Sequence, residues 1–210
     1  MRPPPGRQRI SREFLVQHQR ARIVNALAEE TSLRGYRAVT VADVVRRAGI
    51  ARNTFYDNFS SKEACFLATQ DYAVEEALRR VVEAAAEAES WEDRLGAGLS
   101  AFLGYVAGEP ALARSCIVEA LSAGEAARER YEESLQAFLP LLRLGREASP
   151  YDDLPDTLEE TIAGGIFWVV YQRIVRGRTD QIEALLPALL DFALTPYIGA
   201  ESARRATAKL

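Results

Sequence analysis

The chain is short of the residues that catalysis and metal binding draw on most. It has one histidine, His18, and two cysteines, Cys65 and Cys116, in 210 residues. A zinc site takes three or four His, Cys or carboxylate ligands, and the soft ones are too few and too scattered, so neither a metal nor a cofactor is expected. A Ser/His/Asp or Cys/His arrangement would have to rest on His18 alone, so no catalytic residue is assigned and the chain reads as a non-enzyme. Asp152, Asp153 and Asp156 cluster near a helix start, where capping and the helix dipole account for them. Two lone cysteines in helix-like surroundings form no disulfide framework. No apolar run approaches the ~20 residues of a membrane helix; the longest, Ile162 to Tyr171, is about half that. The first residues, Met-Arg-Pro-Pro-Pro-Gly, contain no apolar signal core. The expectation is a reduced cytoplasmic protein with no membrane partner. Strand-like alternation is scarce too, and no internal repeat is present.

What the chain does have is an uneven charge. The net charge is −4, yet residues 1–62 hold 12 Arg/Lys against 5 Asp/Glu, while the remainder holds 14 against 25. A basic head on an acidic body is the asymmetry expected when one end meets phosphate. Hydrophobic residues make up 48%, enough for a proper core.

The pattern is helical almost throughout, dominated by Ala, Leu, Glu and Arg. Residues 1–9 read as a basic arm whose Arg2, Arg7 and Arg9 either enter a minor groove or form a plain tail. A first helix is predicted from about Ser11 to Leu33, ended by Gly35. A short second helix follows Thr40, with Thr40 and Asp43 as a capping box, and stops at Gly49. A third covers Arg52 to Asn58. A fourth opens on the box Ser60 to Glu63 and runs to about Ala88. Five more are predicted: Trp91 to Ala107; Pro110 to Ser122; Glu125 to Arg146, kinked at Pro140; Pro155 to Gly177; and Thr179 to Leu194, kinked at Pro187 and stopped by Thr195-Pro196.

Thr40 to Glu63 is the informative stretch: a capped helix, a Gly-centred turn and a second short helix. Small or aliphatic residues (Ala42, Val45, Ala48, Ile50) and Phe55 fall where two crossing helices meet, and Gly49 permits the sharp turn. This is helix-turn-helix patterning. Arg pairs with G, and Asn with A, through two hydrogen bonds, so Arg52 and Asn53 are candidate base readers. Arg46 and Arg47 are either backbone contacts or solvated helix charges. Phe55 and Phe59 are read as core.

The run Thr40-Val-Ala-Asp…Ala-Gly49-Ile-Ala-Arg-Asn-Thr-Phe-Tyr56-Asp-Asn-Phe59-Ser-Ser-Lys62-Glu63 resembles the DNA-binding signature of TetR-type (tetracycline-repressor-like) regulators. The resemblance is dense over about residues 20–66; beyond them only length and helix order support it. It implies an all-α fold with an N-terminal three-helix DNA-binding domain and a larger helical ligand-binding and dimerisation domain. It implies a homodimer on a palindromic double-stranded operator, usually a repressor, released by a small-molecule effector. The implied division is 1–19 for the arm and start of helix one, 20–66 for the DNA-binding domain, 67–200 for the body and 201–210 for a tail. Carried onto this chain, Thr40 caps the second helix and touches phosphate. Arg52, Asn53 and Thr54 face base edges, Tyr56 meets phosphate, Asn58 stands where His is common, and Lys62 contacts phosphate. Ala51 departs from the usual Ser or Thr and removes a hydroxyl cap, typically a ~1 kcal/mol loss. A helical adaptor that uses the helix-turn-helix only as scaffold is the alternative.

In the body, Ile162 to Tyr171 is apolar all round and so is buried on more than one side. One side is expected to face a partner subunit and another the interior; a purely intramolecular core is the competing reading. An apolar cavity with a few polar groups is the usual ligand site, and Phe102, Tyr105, Trp168 and Gln172 are the candidate lining. Cys116 either shares that space or is an inert buried thiol. Effector binding is expected to move the fourth helix and so change the spacing of two recognition helices.

Overall fold

A computed structural model describes residues 12–209, with side chains from His18 onward. The proposed arm and the Ser11 cap lie outside the described residues. All regular structure among those residues is helical.

The head comprises α1 (Arg12–Arg34), α2 (Val41–Ala48) and α3 (Arg52–Asn58), with the N-terminal part of α4 (Lys62–Ala86). Ile23, Leu27, Val44, Phe55, Phe59 and Phe66 meet in one buried cluster. The capping box predicted for α2 is present: the Asp43 N–H donates to the Thr40 hydroxyl and the Thr40 N–H donates to the Asp43 carboxylate at 3.0 Å. Gly49 ends α2 with φ 62°, in the left-handed region that a side chain disfavours. At α4 the cap is Ser61, not the predicted box from Ser60 to Glu63; the Ser61 hydroxyl accepts from the Ala64 N–H at 3.0 Å.

The body begins with α4, which continues beside α5 (Trp91–Gly108). The predicted sixth helix is not uniform. It opens as a short α6 (Pro110–Ala113), widens into a π-helical turn at Arg114–Val118 and tightens into a 3₁₀ turn at Glu119–Ser122. The predicted seventh divides into α7 (Glu125–Ala137), α8 (Leu139–Arg143) and α9 (Gly145–Ala148). Phe138 and Leu144 sit at the breaks. Pro140 supplies no N–H to continue α7. Next come α10 (Leu158–Val175), α11 (Leu186–Ile198) and α12 (Ala200–Thr207).

Three expectations near the C-terminus are corrected. Pro187 lies in the first turn of α11, where proline is tolerated, and kinks nothing. Pro196 lies inside α11 and does not stop it. The segment from residue 201, expected as a tail, begins in the first turn of α12. Tertiary anchoring explains the second: Tyr197, one residue past the proline, is fully buried. Its ring packs edge-on against Trp91 at 5.0 Å and its hydroxyl donates to Glu159 at 3.0 Å. Glu159 is itself gripped by two Arg146 nitrogens at 2.7 and 2.9 Å. Burial pushes the Glu159 carboxyl up, but these bonds outweigh it and hold the group below its usual range.

Trp91 closes this end of the core. Its indole N–H donates to the Leu141 carbonyl at 2.9 Å, and its ring lies on Gly145, where a Cβ would meet ring carbon at 2.3 Å. Gly145→Ala should therefore destabilise the fold by about 1–3 kcal/mol through overpacking, read as a lowered urea midpoint. Gly108→Ala, where an added Cβ meets nothing within 4 Å, should change the midpoint little.

Candidate nucleic-acid interface and internal cavities

The head presents α3 as a thin, two-faced element. Phe55 is fully buried and Phe59 nearly so, whereas Arg52, Asn53 and Tyr56 are exposed and Thr54 and Asn58 are half-buried. The phenylalanines seat one face, with ring centroids 5.9 Å apart, so the opposite face must point outward. Arg20 of α1 braces the far end: its guanidinium lies 4.4 Å from the Phe59 ring centroid and donates to the Asn58 carbonyl at 2.9 Å. Ala51 stands at the N-cap without a side-chain bond, so the start of α3 is held by packing and not by a cap.

The remaining candidates divide by what already holds them. Thr40 is exposed, and its hydroxyl donates to Asp43 at 2.6 Å. Asn58 donates its amide to the Thr54 carbonyl at 2.8 Å, turning that side chain back onto its own helix. The Arg52 guanidinium lies 5.7 Å from the Tyr56 ring centroid. The Lys62 ammonium donates to the Tyr36 and Val39 carbonyls at 2.9 and 2.8 Å and sits over the Tyr36 ring; burial pushes its pKa down. Two of its three donors are thus engaged in holding the approach to α2. Arg46 and Arg47 are both ion-paired, Arg46 with Asp43 at 2.6 Å and Arg47 with Glu29 and Glu30 at 2.8 and 2.6 Å.

In the body, two cavities lie side by side. One, of about 50 Å³, is bordered by Val81, Leu95, Leu99, Leu141 and Ile166. The other, of about 40 Å³, is bordered by Gln70, Tyr105, Cys116, Arg130, Tyr131 and Ser134, among others. Phe102, Phe138 and Phe167 border both, with ring centroids 5.3–5.7 Å apart. Of the four sequence candidates, Phe102 and Tyr105 lie on these walls. Trp168 is 61% exposed on the outer face of α10, stacked on Tyr171, and neither it nor Gln172 borders either cavity. Sequence reasoning missed Gln70. A signal existed: it shares the buried stripe of Phe66, Ala73, Ala77 and Val81 on α4, where a polar residue is out of place. Cys116 lines the second cavity, and burial pushes its thiol up to about 12, so it is a neutral wall group.

Residues 23–69 match the family described as bacterial regulatory proteins, tetR family. Among curated proteins, the chain is 43% identical over 47 residues to the uncharacterized HTH-type transcriptional regulator YdgC of Bacillus subtilis (strain 168). That match spans 22% of this chain and 24% of that relative, about a quarter of its length. Among solved structures, the fatty acid degradation regulator FadR of Bacillus halodurans superposes with a TM-score of 0.77 at 21% identity, over 84% of this chain and 94% of that one. FadR of Bacillus subtilis, solved in complex with stearoyl-CoA, gives 0.74 at 20% identity, over 84% and 98%. At these identities the likeness is one of fold.

Asp43 links the head's cap to its charge. The Thr40 hydroxyl, then Arg46, the Thr40 N–H and Arg34 hold its carboxyl well below the usual range. A depressed carboxyl contributes stability above its unfolded pKa of about 3.9 and loses it as pH falls towards the folded value. Thermal unfolding followed downward from about pH 7 should therefore show wild type losing its advantage over Asp43→Asn on the acid side. Parallel curves for the two proteins would remove Asp43 as the titrating link.

Proposed function

We propose that this chain, a member of the TetR-type regulator family, is a ligand-responsive transcriptional repressor that binds a palindromic operator as a homodimer. Release comes from a small-molecule effector held in the body. The observation that carries this reading is the two-faced α3: an exposed Arg52-Asn53-Tyr56 surface held outward by buried Phe55 and Phe59.

In this reading α3 enters the major groove. Arg52 and Asn53 read base edges, and Thr54 flanks them at the groove floor. Thr40 and Tyr56 meet phosphate. Lys62 keeps one donor for phosphate while its other two hold the segment before α2. Asn58, folded back onto Thr54, sets the shape of the helix end. Contacts of this kind position the head through phosphate and specify sequence through bases.

A dimer is supported by the outer surface of the last long helices. Trp168 is exposed on α10, Val175 and Phe192 are 44% exposed, and a Cβ added at Gly164 would meet nothing within 4 Å. An apolar surface with room for close backbone approach suits a two-fold helical bundle, which would place two α3 helices about 34–36 Å apart on one face of the duplex.

An internal effector is supported by the cavities, and the stearoyl-CoA complex of the B. subtilis neighbour supports one with an apolar chain. The path to the head is short. The Ser115 hydroxyl donates to the Ala28 carbonyl of α1 at 3.1 Å, and Glu119 accepts the Tyr36 N–H at 2.9 Å. Both residues lie within or just after the turn that carries Cys116 on the cavity wall.

Selection of duplexes from a random pool should return an inverted repeat whose affinity falls steeply with salt. Arg52→Ala should flatten preference at one base position by about 1–3 kcal/mol, while Thr40→Ala weakens all duplexes alike. Uniform loss from Arg52→Ala would remove it as a base reader. Glu119→Ala should speed amide exchange at Tyr36 and shift operator affinity by about 0.5–2 kcal/mol with base preference unchanged; unaltered exchange and affinity would discard that path.

A further inference from the structure

The second cavity contains two polar groups that pair with nothing described around them. Gln70 is 3% exposed and Tyr105 is 5% exposed; Gln70 Oε1 and the Tyr105 hydroxyl are buried and lack a hydrogen-bond partner among the described residues. The amide orientation of Gln70 is fixed by chemistry: its Nε2 donates to the Ala127 carbonyl at 3.0 Å. A carbonyl only accepts, so Oε1 is the atom left to the cavity. A buried polar group without a partner costs about 1–3 kcal/mol, and two beside one cavity identify what an occupant must bring. Gln70 Oε1 requires a donor, while the Tyr105 hydroxyl donates or accepts.

The charged side chain bordering this cavity is Arg130, already ion-paired with Asp71. A carboxylate would set its oxygens against Gln70 Oε1 and bring no donor. The first cavity is hydrocarbon on every side. Each space holds only a few waters at ~10–15 Å³ apiece, far below the ~300–1,000 Å³ of a ligand pocket. The phenylalanines between them are not equally fixed. Phe102 and Phe167 are buried within the long helices α5 and α10, whereas Phe138 is half-buried at the break between α7 and α8.

Resting on the reading of an internal effector site, we infer that the two cavities are one site divided by the Phe138 ring. Its ligand is an elongated, uncharged molecule: an apolar chain for the Val81–Leu99 chamber, and a polar end offering a hydrogen-bond donor to Gln70 Oε1 and an acceptor to the Tyr105 hydroxyl. Primary amides and alcohols have this chemistry. Esters lack the donor, and carboxylates lack it and add charge. Phe138 sets the chain length the site admits.

The test is calorimetric titration of the full chain with straight-chain primary amides from hexanamide to dodecanamide, beside methyl esters and carboxylates of matched length. Amides should bind about tenfold tighter than esters, with carboxylates weakest. Tyr105→Phe should lower amide affinity several-fold while raising the melting temperature of the unliganded protein, since it deletes a buried hydroxyl with no partner. Phe138→Trp should keep hexanamide and lose dodecanamide, and Phe138→Ala should favour the longer chains; retained duplex binding certifies that both fold. Chains that bind with no preference among head groups, or a length dependence untouched at Phe138, overturn this inference and leave the effector site standing. No binding by any chain, from a protein that still binds duplex, removes the internal site itself.

Discussion

Beside the continuous α4, one turn of backbone ties the two halves of this molecule together, and the functional reading depends on it. Ser115 and Cys116 are neighbours in the π-helical turn at Arg114–Val118, yet they serve different partners. Ser115 is fully buried against the Ala28 carbonyl of α1, and Cys116 lines the cavity of the body. A π turn is rare and mostly appears singly within helices. Here it coincides with the place where one strip of chain faces both the head and the cavity. The next turn adds Glu119, whose carboxylate accepts the Tyr36 N–H, and Arg37 donates to the Ser122 carbonyl at 3.4 Å. The head is therefore not a bead on a linker; it is docked by named hydrogen bonds onto the segment that also walls the cavity.

The head was legible in the sequence because local rules decide it. Thr40 with Asp43, Gly49 after Ala48, and aromatic residues spaced to fall beneath α3 each act within a few residues of themselves, and they all require the same structure. The body obeys tertiary rules that a single chain conceals. Pro196 reads as a stop because proline breaks helices, but buried Tyr197, tied to Glu159 and Trp91, carries α11 past it. Trp168 reads as a cavity residue because it is aromatic in an apolar run. Nothing in an all-apolar helix says which face is inner, and the fold turned this one outward. Lys62 is given by the resemblance as a phosphate contact, and nothing local shows that the carbonyls of Tyr36 and Val39, more than 20 positions away in sequence, take two of its donors. Gln70 was legible and overlooked: a polar side chain on the buried stripe of α4 is the kind of exception that needs a reason.

The ion pairs of the head show why charge alone was an ambiguous guide. Arg46 and Arg47 contribute to the basic excess before residue 63, but Asp43, Glu29 and Glu30 hold them in place. The carboxylates of Asp43 and Glu30 are buried while their arginines reach solvent, and the consequence is geometric: Arg47 with Glu29 and Glu30, and Arg34 with Asp43, fix the second helix against the first, while Arg46 pairs with Asp43 within the second helix. The polar side chains exposed on α3 are Arg52, Asn53, Tyr56 and the acidic Asp57, a set with no net charge and one better suited to reading bases than to general attraction.

The two small cavities and the broken seventh helix meet at Phe138. α7 has Ala127 near its start, buried in the core cluster of the head, and Phe138 just past its end, between the two chambers. The Ala127 carbonyl also accepts from Gln70 of α4. An effector that enters by moving Phe138 would thus act on an element whose other end belongs to the core cluster of the head and is tied to α4. Packed cores shift between discrete arrangements and do not deform smoothly, so in the proposed switch a displacement at Phe138 would reach Ala127 through α7. Such an effector shifts the equilibrium only by its preference between the two arrangements; moving it from 1:99 to 99:1 takes about 5.5 kcal/mol. Pairing Gln70 Oε1 and the Tyr105 hydroxyl, and burial of an apolar chain at about 25 cal/mol per Å², count towards that preference only so far as they are made in one arrangement and not in the other.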